Sequence, residues 1–144
     1  MNVCIAYFSK FGNGRICTEY LGEKLREAGH DAVVSSTIER KPTGLPKADL
    51  HVFSSPTRMG RASGKMLRYL KRVRNANPED QYVVMGTYGA EGAKTLEMLE
   101  AVLEQKGWKK AQDGVLLKVV DLRDPLDEEY KSKLDEFSKS ISAS

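Results

Sequence analysis

Cysteine is scarce in this chain of 144 residues: Cys4 and Cys17 are its only two, too few for a disulfide framework. Neither belongs to a CxxC pair, so both read as structural thiols and the chain as one suited to a reducing cytoplasm. Histidine is equally rare, with His30 placed at a helix end and His51 in a strand, and both read as structural. No Ser/His/Asp set and no zinc-ligand spacing can be assembled from them. Long apolar runs are missing too; none approaches the roughly 20 residues a membrane helix needs. The amino terminus leads straight into a strand pattern, without the basic and apolar blocks of an export signal. Acid is absent from one stretch: Arg58 to Arg74 holds seven basic residues and no Asp or Glu, although the whole chain carries a net charge of only +3. That stretch is either a solvated helix face or a docking surface for an acidic partner or an anionic substrate. One basic helix with no base-reading motif argues against nucleic acid.

What is present is an alternation of strand and helix patterns, the mark of parallel βαβ units. The strands expected are Asn2 to Phe8, Asp31 to Ser36, Leu50 to Ser54, Tyr82 to Thr87 and Gly114 to Val120. Several are continuously apolar, as strands are when helices cover both faces of a sheet. The first helix is expected from Asn13 to Ala28, stopped by Gly29. A second spans Ser63 to Arg74, with Met66, Leu67, Leu70 and Val73 inward. The third covers Ala93 to Gln105 on a Leu96, Leu99 and Leu103 stripe. The last starts at Leu126 and repeats Tyr130, Leu134, Phe137 and Ile141 at helical spacing. Thr37 to Ala48, with Pro42, Gly44 and Pro46, reads as a loop or one short turn. The expectation is one domain, residues 1–144, with five strands in the order 2-1-3-4-5 and four or five helices.

In such a sheet, ligands bind beyond the carboxyl ends of the strands, where the winding reverses. Three turns meet there. Ser9-Lys10-Phe11-Gly12-Asn13-Gly14 lies between the first strand and the first helix. A hydroxyl and two glycines at such a turn let backbone N–H groups converge at the positive end of a helix, which suits a phosphate. The second turn is Ser54-Ser55-Pro56-Thr57-Arg58-Met59-Gly60, and the third Gly86-Thr87-Tyr88-Gly89-Ala90-Glu91-Gly92. Small and hydroxylated residues, together with Met59 and Tyr88, suit a planar ring with a phosphate tail.

These residues resemble the flavodoxin-like family of FMN proteins over nearly the whole chain, which implies an α/β three-layer sandwich. The first turn is similar to that family's Ser/Thr-x-Thr-Gly-Asn-Thr phosphate loop. Gly-Thr-Tyr-Gly-Ala-Glu-Gly resembles its third loop, often Gly-Ser-Tyr-Gly-Trp-Gly. By that resemblance Ser9, Lys10, Phe11, Gly12, Asn13 and Gly14 would cradle the FMN phosphate. Pro56, Thr57, Arg58, Met59, Gly60, Thr87, Tyr88, Gly89, Ala90 and Gly92 would surround the ring. An unbroken fifth strand points to the short-chain type. Three positions depart from the pattern: Phe11 and Gly14 replace hydroxyl donors, and Ala90 replaces an aromatic. Lys10 offers a point charge in compensation.

The second turn resembles the Pro-Thr-Arg-Phe-Gly segment of flavodoxin-like NAD(P)H:quinone oxidoreductases, and a menaquinone-dependent protoporphyrinogen oxidase is a third relative of similar size. Two functions follow from these resemblances. One is an electron carrier whose acidic redox partner docks near Arg61, Lys65 and Arg68. The other is a small FMN-dependent oxidoreductase with a quinone-like acceptor. Cations near the ring would raise the potential of its reduced, anionic form by on the order of 100 mV, with Glu91 opposing. Other folds of this winding are excluded. A dinucleotide-binding turn needs a third glycine where Cys17 stands and an acid where Ser35-Ser36-Thr37 stands. A phosphate-receiver domain needs acids at Ser9 and Ser54, and a low-molecular-weight phosphatase needs a cysteine in the first turn.

Overall fold

Strand residues alternate between two apolar faces. Val3 and Ile5, Leu50 and Val52, and Val83 and Met85 pack into one cluster; Ala6, Phe53, Tyr82 and Val84 pack into the other. The period of two sends successive side chains to opposite faces, so a strand apolar throughout is buried on both. In the computed structural model, which describes residues 1–74, 80–90, 92–119, 126 and 129–143, helices supply the two outer layers. Cys17, Leu21 and Leu25 of α1 (Asn13–Glu27) and Leu134, Phe137 and Ile141 of α4 (Tyr130–Ala143) close the first cluster. Met66 and Leu70 of α2 (Gly64–Arg72) and Leu99 and Leu103 of α3 (Thr95–Gln105) close the second.

The strands are β1 (Asn2–Tyr7), β2 (Asp31–Ser36), β3 (Leu50–Arg58), β4 (Arg61–Ala62), β5 (Gln81–Tyr88), β6 (Lys109–Lys110) and β7 (Val115–Lys118). The parallel order is β2-β1-β3-β5, with β6 and β7 both lying on the outer side of β5. Position for position this is the expected winding, but seven strands replace five. Two differences account for the count. The expected turn after the third strand is itself strand: β3 continues through Ser55, Pro56 and Thr57, and β4 folds back on it antiparallel, pairing Thr57 with Ala62 and Arg58 with Arg61. Pro56 is tolerated because β1 pairs with β3 only as far as Tyr7↔Ser54, so the missing N–H deprives no β1 carbonyl.

The expected fifth strand is β7, paired with β5 without a gap from Val115 to Lys118, and β6 is an added two-residue strand ahead of it. Ala111 to Gly114 separates β6 from β7, and Gly114 lies so close to β5 that a Cβ there would meet the Val84 carbonyl oxygen at 2.1 Å. Glycine permits that approach, at the expense of continuous pairing. The expected end of this strand at Val120 lies outside the described residues. Leu126, expected to begin the last helix, instead bridges Val119 antiparallel, and α4 starts at Tyr130. Pro42–Gly44 forms one 3-10 turn, as expected of a segment read as a loop or one short turn. Gly29, at φ 94°, ends α1 as expected; its N–H donates to the Arg26 carbonyl and that of His30 to the Leu25 carbonyl. Among the described residues no helix is long and apolar enough to cross a membrane.

Candidate functional site

β1, β3 and β5 point their carboxyl ends to the same edge of the sheet, with Tyr7 opposite Ser54 and Pro56 opposite Thr87, and β3 and β5 run a few residues beyond β1. That register brings the three turns to one edge of the sheet. They surround a shallow cleft that opens to solvent. From the first turn Ser9, Lys10, Phe11, Asn13 and Gly14 line it, from the second Pro56, Thr57 and Arg58, from the third Thr87, Tyr88 and Gly89. Among the described residues, none that lines it is a carboxylate, imidazole or thiol.

The first turn is shaped by its own short contacts. Gly12 takes φ 96°, and its N–H donates to Ser9 Oγ at 3.0 Å. Phe8 N–H donates to the Ser54 carbonyl at 3.1 Å, holding the turn against β3. Gly14 lies under Ser9, where a Cβ would approach the serine side chain to 3.4 Å. Thr18 Oγ1 donates back to the Gly14 carbonyl at 2.9 Å. No side chain caps the amino terminus of α1, and its first turn holds no acid. The first-turn N–H groups of any helix lack intrahelical acceptors and carry partial positive charge. An uncapped, acid-free terminus opening into a cleft therefore suits an anion. Lys10 adds a cation there, its Nζ 5.5 Å from the centre of the Phe11 ring.

The second turn is braced rather than loose. Ser55 Oγ accepts the Ser63 N–H at 3.0 Å and donates to the Pro56 carbonyl at 2.9 Å. The Thr57 and Thr95 hydroxyls bond to each other, and Lys94 N–H donates to the Gly60 carbonyl at 2.8 Å, tying the hairpin to the start of α3. The third turn is held by Val119 N–H on the Tyr88 carbonyl at 2.8 Å. Thr87 is buried and Tyr88 half-buried, and both line the cleft.

Five of the expected residues do not line this cleft. Gly12 acts through its backbone, and Gly60, Ala90 and Gly92 stand outside the lining. Met59 is fully exposed at the hairpin tip with φ 51°. Glu91 lies outside the described residues. Val119 lines the cleft although its sequence context marks it only as a strand residue; its role arises from the pairing of β7 with β5. The buried thiols are unrelated to the cleft, and burial pushes that of Cys17 up to about 12.

Solved structures with the same layers and winding include flavodoxin 2 from Bacillus cereus, which superposes with a TM-score of 0.83 over 99% of each chain at 20% identity. The chain has the flavodoxin fold. A Streptococcus pneumoniae flavodoxin matches at 0.79 and 20% identity, again over 99% of both chains. A short-chain flavodoxin associated with a bacterial microcompartment matches at 0.80 and 16% identity, covering 100% of this chain and 99% of that one. The same fold also forms a part of the rubredoxin oxygen:oxidoreductase of Desulfovibrio gigas, where the match takes in 99% of this chain and 35% of that one. No family model and no curated protein matches the chain.

Proposed function

We propose that residues 1–144 act as a single FMN-binding electron-transfer unit with the cleft as its cofactor site. The observation that carries this reading is the convergence of an uncapped helix terminus, Lys10 and two further turns on one cleft, in a fold whose structural neighbours are flavodoxins. In this reading Ser9, Lys10, Phe11, Gly12, Asn13 and Gly14 hold the phosphate through backbone N–H groups, the serine hydroxyl and the ammonium group. Pro56, Thr57, Arg58, Thr87, Tyr88 and Gly89 flank the ring, with Met59, Gly60, Ala90 and Gly92 supporting the two turns from outside. Bound flavin supplies the redox chemistry, and the protein supplies position and charge. An acidic redox partner docks on the basic face of Arg61, Lys65 and Arg68, and buried free thiols suit a reducing cytoplasm.

Titration of the purified chain with FMN tests the cofactor. Flavin fluorescence quenching should saturate at one FMN per chain in the micromolar range or tighter. Riboflavin, which lacks the phosphate, should bind at least about tenfold more weakly, a difference of about 1.4 kcal/mol. Absence of FMN quenching would overturn the proposal.

A further inference from the structure

Beside the cleft runs a second depression, between α2 and the segment that follows β2. Two adjoining hollows form it, with about 750 and 880 Å³ of open space, both bounded by Phe8, Ile38, Lys65 and Arg68. One continues to Pro42 and Arg72; the other reaches Ser9, Lys10 and Arg58, which also line the cleft. Its floor is apolar: Phe8 is half-buried, and Ile38 is 84% exposed. Its rim is cationic and unneutralised. Among the described residues none of Lys10, Arg58, Lys65, Arg68 and Arg72 takes part in an ion pair. Lys65 leans over the Phe8 ring at 5.5 Å, which keeps its ammonium group at the edge of the apolar floor.

An exposed isoleucine beside an aromatic ring, edged by five cations that take part in no ion pair among the described residues, has the anatomy of a protein contact: an apolar centre with a polar rim. We infer that this groove receives an acidic segment of the redox partner, carrying one large apolar side chain flanked by carboxylates. The apolar side chain covers Phe8, Ile38 and Pro42, while the carboxylates meet Lys65, Arg68 and Arg72. The shared Lys10 and Arg58 place that segment against the cofactor cleft. Rim charges steer the encounter, and the apolar anchor sets how long it lasts. The inference rests on the electron-transfer reading for the redox character of the partner, whereas binding in the groove does not depend on flavin.

The test uses a fluorescein-labelled peptide with one phenylalanine between two runs of three aspartates, a twin with serine for phenylalanine, and hexa-aspartate. Fluorescence anisotropy with the whole chain at low salt should show the phenylalanine peptide binding at least tenfold tighter than either control. Arg68→Glu and Ile38→Asp should each weaken it at least tenfold, while Lys139→Glu, on the outer face of α4, should not. Ile38 is too exposed for its replacement to unfold the chain, and circular dichroism checks this. Equal binding of all three peptides would overturn the inference in favour of a general polyanion surface. No binding at millimolar peptide, or indifference to Arg68→Glu and Ile38→Asp, would overturn it as well. FMN titration of the same samples separates the two readings. Loss of FMN binding with peptide binding intact removes the electron-transfer reading and leaves the groove, and the opposite result removes the groove alone.

Discussion

His51 shows what burial does to a single side chain. It is 4% exposed on β3, stacked at 6.0 Å on Phe53 and edge-on to Trp108 at 5.1 Å, and its Nδ1 has no hydrogen-bond partner among the described residues. Desolvation lowers its pKa below 6.5, with the Asp80 charge acting weakly the other way. The unfolded chain takes up a proton near pH 6.5 that the folded chain refuses until lower pH. The stability from keeping His51 neutral is therefore complete above that pH and declines as pH falls through 6.5 toward the lowered folded value. Chemical denaturation at about pH 7 and about pH 5 should show a loss in the wild type that is smaller in His51→Phe, which keeps an aromatic in the same apolar setting. An unchanged pH dependence in the variant would assign the loss elsewhere. A lone histidine in an apolar strand is legible as structural from the sequence, and so is Gly29 as a helix stop. Phe53, two residues along the same strand face, is legible too, whereas Trp108 and Asp80 are not, because they meet His51 only through the fold.

The β3–β4 hairpin shows how an element escapes sequence reading. Pro56, three residues before its tip, signals a turn, and the segment reads as a loop. In the structure β5 supplies a partner on one side as far as Pro56↔Thr87, so the strand extends to Arg58 before reversing at Met59 and Gly60. Both tip residues have positive φ, 51° and 77°, the conformation two-residue hairpins favour and asparagine or glycine adopts most readily. Met59 is fully exposed and strained there. Met59→Asn should raise stability by about 0.5–1 kcal/mol in denaturant unfolding, with FMN affinity unchanged because Met59 does not line the cleft. A fall in stability would show that the methionine is held by contacts beyond this chain's own fold; a fall in FMN affinity alone would restore it as a ring contact. The gap between β6 and β7 has a comparable cause. Continuous apolar character from Val115 onward is visible in the sequence, but the contact of Gly114 with Val84 that breaks the ladder belongs to the sheet.

At the scale of the molecule, charge is distributed so that one edge is basic. Arg58 lines the cleft, and α2 carries four cations, Lys65, Arg68, Lys71 and Arg72, with no acid. A positive field at a flavin site favours its reduced, anionic form. Reductive titration of the FMN-loaded chain with dithionite and reference dyes should place the second couple above about −400 mV, the scale of low-potential iron–sulfur carriers. Arg58→Gln should shift it negative, and a wild-type couple well below that mark would refute the electrostatic argument.

By itself the sequence determined the alternation of elements, the residues buried in the helices and the first turn, because periodicity and glycine placement are local and follow from backbone geometry. Three turns separated by dozens of residues were legible as candidates for one site. Which of them line the cleft, how Val119 joins it, and how Phe8 and Ile38 come to face the basic helix were decided by tertiary structure. These depend on strand register and on layers closing over each other, and such contacts form only when distant segments bury one another's apolar surface.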